Sequence, residues 1–137
     1  MRKTIAAVLA AATVLSLSVS ADARPRLAPE AKLAKMLDGR VAGKTQDCIF
    51  LPTIRSTRVI DKTAIVYDAG RTLWVNRPRS GAESLDDDDV LVTDLRGSGS
   101  SLCSVDIVQL HDRYSHFYSG FVGLGEFVPY KKVALRE

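Results

Sequence analysis

IRSTRVIDKTAIVYDAGRTLWVN, residues 54–76, decides the fold. Residues 54–60 carry Ser, Thr, Val and Ile at strand density, and residues 63–68 (TAIVYD) and 71–76 (RTLWVN) do the same. Asp61-Lys62 and Ala69-Gly70 stand between the runs. Three β-rich runs joined by two-residue turns predict a meander. Gly70 makes the second turn the clearer one, because glycine takes positive φ without a steric cost. Trp74 is the single tryptophan of the chain. A strand Trp usually faces a core. Leu73 and Val75 then point the other way, which predicts that the opposite face is covered too.

The strand pattern continues on both sides. Residues 48–51 (CIFL) are a short apolar run ended by Pro52, residues 90–95 (VLVTDL) read as a strand, and so do residues 102–110 (LCSVDIVQL). Residues 77–88 and 96–101 read as connections, rich in Gly, Ser and acids. Residues 111–119 read as an aromatic loop. Residues 120–130, interrupted by Gly123, Gly125 and Pro129, fit a bent edge strand. Upstream, Leu33, Met36 and Leu37 form one apolar stripe behind Pro29 and Glu30, and Gly39 follows as a stop. This predicts a helix over residues 30–38 within an N-terminal arm, residues 24–47. The expected fold is therefore mainly β: a small six-stranded antiparallel barrel or sandwich over residues 48–132, with one short N-terminal helix. A barrel is preferred, because closure protects the edges of short strands.

The first residues carry a targeting pattern. Arg2 and Lys3 precede a nearly unbroken apolar run, residues 5–19, which ends in the small-residue stretch Ser20-Ala21-Asp22-Ala23. These are the three regions of a secretory signal peptide over residues 1–23, cut after Ala23 or after Ala21. An apolar run of about 15 residues is shorter than the roughly 20 a spanning helix needs, so no membrane insertion is expected once the peptide is removed. The cut after Ala23 leaves 114 of 137 residues, with 17 basic and 15 acidic side chains and a net charge of +2. A chain of this length has room for one domain, and its 46% hydrophobic composition excludes overall disorder. So small a net charge, with scattered cations, excludes nucleic-acid binding as a reading of the basic pI. The expected location is periplasmic or secreted.

Cys48 and Cys103 are the two cysteines. In an exported chain they predict one disulfide closing a 55-residue loop. Without a CxxC spacing they supply at most half a zinc site.

Catalytic motifs fail on spacing. Gly43-Lys44-Thr45 resembles the end of a phosphate-binding loop, but Asp38 stands where the motif needs glycine. Gly97-Ser98-Gly99-Ser100 lacks the spacing and the following helix of a serine-nucleophile elbow. The acidic run from Asp86 to Asp89 lacks the alternating ligands of a calcium loop and reads as a solvated turn. The remaining candidate is the stretch HDRYSHFY, residues 111–118, which holds both histidines. Tyr114, His116 and Tyr118 could line a small-ligand face, and His111, Asp112 and His116 could serve a metal or hydrolytic site. An i, i+5 histidine pair is not a standard metal spacing.

Cys48-Ile49-x-Leu51, Ile54-Arg55-Ser56-x-x-Val59-Ile60-Asp61, Arg71-x-Leu73-Trp74-Val75 and Leu102-Cys103-Ser104-Val105-Asp106-Ile107-Val108 occur in that order. Together they resemble a family of small exported proteobacterial proteins of unknown function, over residues 48–131. The resemblance implies an envelope location in a Gram-negative bacterium and brings no catalytic residues with it. The expectation from sequence is a non-enzymatic binding or structural module without cofactor, metal or nucleic acid. Its partner would be a small ligand or an envelope protein, with His111, Asp112, Tyr114, His116 and Tyr118 as the candidate ligand-binding residues. A small hydrolase or metal-dependent enzyme using the same loop is the alternative.

Overall fold

The computed structural model describes residues 25–95 and 99–134, so the signal-peptide expectation for residues 1–23 lies outside the described residues. In chain order the elements are a helix α1 (Pro29–Met36) and ten strands: β1 (Arg40–Ala42), β2 (Cys48–Phe50), β3 (Ser56–Ile60), β4 (Ala64–Asp68), β5 (Thr72–Asn76), β6 (Asp89–Thr93), β7 (Ser101–Cys103), β8 (Ile107–Asp112), β9 (Tyr118–Gly123) and β10 (Phe127–Lys132). Short 3-10 turns stand at Leu51–Thr53 and Ala82–Ser84. The strands form three antiparallel sheets, in the orders β1-β10-β5-β4-β3, β6-β8-β9 and β2-β7.

The meander over residues 54–76 is the centre of the five-stranded sheet. Ile65 and Tyr67 of β4 point to one face, where they pack with Val59, Phe127, Val108, Leu110 and Val122 as the core between this sheet and the three-stranded one. Ala64 and Val66 point the other way and join Leu73, Val75 and Ile60 beneath α1, whose Leu33 is only 2% exposed. Both faces of β4 are covered, so its residues 64–67 read as a continuous apolar run rather than an alternating one. The covered second face foreseen opposite Trp74 is the α1 layer.

Two ion pairs tether α1 at the surface: Glu30 with Arg77 (2.8 Å) and Lys32 with Asp87 (2.9 Å). Such exposed pairs contribute little in water, so the buried Leu33 and the flanking Met36 and Leu37 are what hold the helix down. The helix begins at Pro29, as N-terminal prolines favour, and its regular part ends at Met36, two residues before the expected boundary.

The architecture corrects the expected barrel. Ten strands are present among the described residues instead of six, and the sheets do not close, because β3 and β6 are terminal strands of separate sheets and do not pair with each other. Three local causes raise the strand number. The run 102–110 is split, because the Asp106 carboxylate accepts the Cys103 N–H (2.7 Å) while Asp106 N–H donates to Cys103 O. This turn sends β7 to β2 and β8 to the three-stranded sheet. The aromatic stretch 111–119 adds no strand: it is a loop over residues 113–117, with β8 reaching Asp112 and β9 starting at Tyr118. Residues 120–130 are two strands, and β10 lies inside its sheet rather than at an edge. Pro129 is tolerated there because β1 ends at Ala42, and Gly43 N–H bonds to Pro129 O (2.7 Å) just past that end. β1 itself falls within the segment expected as an arm and adds a sheet edge.

Cys48 and Cys103 form the disulfide. They stand directly opposite one another in the β2–β7 pair, with Cα atoms 4.0 Å apart, beside the buried pair Ile49 and Leu102. Among the described residues no helix is long and apolar enough to cross a membrane.

Candidate functional site

The β8–β9 hairpin gathers the five residues singled out in the sequence, and most of its interactions serve the turn itself. Asp112 Oδ1 accepts the N–H groups of Tyr114 (3.1 Å) and Ser115 (2.6 Å) and the Ser115 hydroxyl (2.7 Å). The hydrogen bond from Ser115 N–H, with the hydroxyl second, holds the Asp112 carboxyl below the usual carboxylate range. His116 adopts a left-handed φ of 59° at the turn, and its N–H donates to Asp112 O (2.9 Å). His111 and Tyr118 are register partners whose rings meet edge to face at 5.8 Å. Tyr114 and Tyr118 are exposed. His111, Asp112 and His116 are not among the side chains whose ligand atoms converge.

The described residues contain one convergent acidic group, Asp61, Asp86 and Asp87. One oxygen of each carboxylate already has a partner. Lys32 Nζ donates to Asp87 Oδ2 (2.9 Å), Asp87 N–H to Asp61 Oδ1 (2.8 Å) and Asp88 N–H to Asp86 Oδ1 (2.9 Å). The hydrogen bond from Lys32 is the main reason the Asp87 carboxyl sits below its ordinary range. Asp89 is buried, and it accepts Ser119 Oγ (2.8 Å) and Asp86 N–H (3.2 Å). The acidic run is thus a capped turn leading into β6.

A larger concavity lies where the barrel would have closed. A groove of about 830 Å³ separates β3 from β6 and runs beneath α1. Thr57, Arg58, Val59 and Ile60 line it from β3, and Asp89, Val90 and Leu91 from β6. Lys32, Lys35 and Met36 of α1, together with Leu27, Asp87 and Arg113, complete the wall. The face of a strand would contribute alternate residues. Four consecutive residues of β3 and three of β6 mean that the strand edges themselves border the groove. Both acids of the wall are engaged, Asp87 by Lys32 and Asp89 by Ser119 and Asp86 N–H. Lys35, Arg58 and Arg113 have no ion-pair partner among the described residues, so the rim is cationic.

The five residues singled out in the sequence lie on the hairpin, and none of them lines the groove. One signal of the groove was present: the Ser-Thr-Arg triplet, residues 56–58, is polar at three successive positions and all three are exposed, as on an open edge. Only Arg113 of the groove lies within the aromatic stretch.

On the outer face of the three-stranded sheet, Val90, Val92, Ile107, Tyr118 and Phe121 are exposed in adjacent register. Comparison of the chain with protein-family models, with curated proteins and with solved structures gives no match.

Proposed function

We propose that this chain is a non-enzymatic binding domain of the cell envelope, periplasmic or secreted, and that its ligand seats in the groove between α1, β3 and β6. The groove itself carries the reading: it is concave, bordered by Val59, Ile60, Leu91 and Met36, and rimmed by three cations without ion-pair partners among the described residues. The export-type first residues, the family resemblance and the Cys48–Cys103 bridge support the location. A hydrolase or metal enzyme on His111, Asp112 and His116 draws no support from the hairpin, where Asp112 is committed to the turn.

The test is amide shift mapping of the ¹⁵N-labelled protein, titrated separately with dodecanoate and with a pool of short acidic–apolar peptides. Binding by either probe should move the amides of residues 57–60 and 89–91. Shifts confined to residues 111–118, or none with either probe, would contradict it.

A further inference from the structure

We infer that the groove takes an extended acidic peptide segment, which adds as a strand between β3 and β6. The inference rests on the groove being the binding site and goes on to name its occupant.

The first ground is the backbone. An edge strand presents a row of unpaired N–H and C=O groups, and here two such rows, from different sheets, border one cavity. An acyl chain or another purely apolar ligand would desolvate those groups without bonding them, at a cost of the order of a lost hydrogen bond for each. An extended peptide can bond to them, as in other strand-addition complexes. Five residues of β3 and five of β6 give each edge a length of about 17 Å at roughly 3.3 Å per residue, room for a short strand.

The second ground is the pattern of side chains around the seam. Val59 and Leu91 belong to the core between the sheets, whereas Arg58 lies on the opposite face of β3, towards α1 and Lys35. A strand inserted here has side chains alternating between those two environments. The inward positions suit Val, Ile or Leu. The outward positions meet Lys35, Arg58 and, from the hairpin, Arg113, and therefore suit Asp or Glu. An alternating apolar–acidic segment matches both walls, and the carboxylates supply the partners the three cations lack among the described residues.

The experiment uses the purified protein and a pool of peptides of about eight residues alternating Val, Ile or Leu with Asp or Glu. The same pool N-methylated on alternate amides, in both registers, is the second probe, and dodecanoate is the third. The expected result is binding of the unmethylated pool, slowed hydrogen exchange at amides of residues 57–60 or 89–91, and at least about tenfold weaker binding after methylation. The double variant Arg58→Glu with Arg113→Glu, shown to be folded by its amide spectrum, should bind about tenfold or more weakly, with the loss reduced at high salt. Equal binding of the methylated pool, or dodecanoate as the only ligand, overturns strand addition and leaves the groove as a binding site. Undiminished binding by the double variant overturns the acidic specificity. No binding of any probe overturns the inference and the binding-site reading together.

Discussion

Asn76 and Gly125 clamp the two main sheets together by exchanging two hydrogen bonds: Asn76 Nδ2 donates to Gly125 O (2.7 Å), and Gly125 N–H donates to Asn76 Oδ1 (3.0 Å). Asn76 ends β5 and is fully buried, while Gly125 lies in the link that carries the chain from β9 in one sheet to β10 in the other. The amide supplies one donor and one acceptor at the place where that link has left both ladders. Asn76→Ala strands both partners, and the expected loss is about 3 kcal/mol in denaturant unfolding. A loss below about 0.5 kcal/mol would show that the clamp contributes little.

The Cys48–Cys103 bridge joins two strands of three residues each, a pair too short to hold by its own ladder. A cross-link closing 55 residues restricts the unfolded chain by about 4 kcal/mol on the chain-entropy estimate. Reduction, or the double change Cys48→Ser with Cys103→Ser, should therefore lower Tm by roughly 15 °C. Calorimetry with thiol titration checks this, and an unchanged Tm with both thiols free would refute a stabilising role.

Tyr67 lies in the main core with its ring edge-on to Phe127 at 5.8 Å, and its hydroxyl has no hydrogen-bond partner among the described residues. Burial pushes the phenol well above its usual pKa. Tyr67→Phe keeps the ring and removes the unsatisfied group, so it should raise stability by about 1 kcal/mol. A marked destabilisation in the same unfolding assay would mean that the hydroxyl makes a bond the core does not reveal.

The meander, the bridge and the apolar stripe of α1 were legible in sequence because each is local or is forced by composition. Gly70 and Asp61-Lys62 mark the turns, Cys48 has one possible partner, and Leu33, Met36 and Leu37 share a helix face. The split of the run 102–110 was not legible, since the Asp106 carboxylate that makes the turn lies within a periodicity that continues through it. The groove was hidden for a different reason. It exists because β3 and β6 fail to pair, and a missing pairing between residues some thirty positions apart leaves no mark on either run. The hairpin attracted the site assignment by its histidines and tyrosines, which the fold uses largely for a turn and an exposed ring pair.

That turn has a pH signature. The folded-state pKa of Asp112 lies below its unfolded value, so the turn is supported fully above the unfolded value and loses that support as pH falls through the folded one. The Tyr114 and Ser115 amide shifts should titrate with a midpoint below the ordinary Asp value of about 3.9. Asp112→Asn should remove the transition. A midpoint at or above the ordinary value would contradict the hydrogen-bonded turn.

The open seam is measured most directly by cross-strand backbone contacts in solution. Nuclear Overhauser spectra of the free protein should show Hα–Hα contacts across β3–β4, β6–β8 and the Cys48–Cys103 pair, and none between residues 57–59 and residues 90–92. Hα–Hα contacts between those two segments would mean that the sheet closes on itself and that no groove is there to fill.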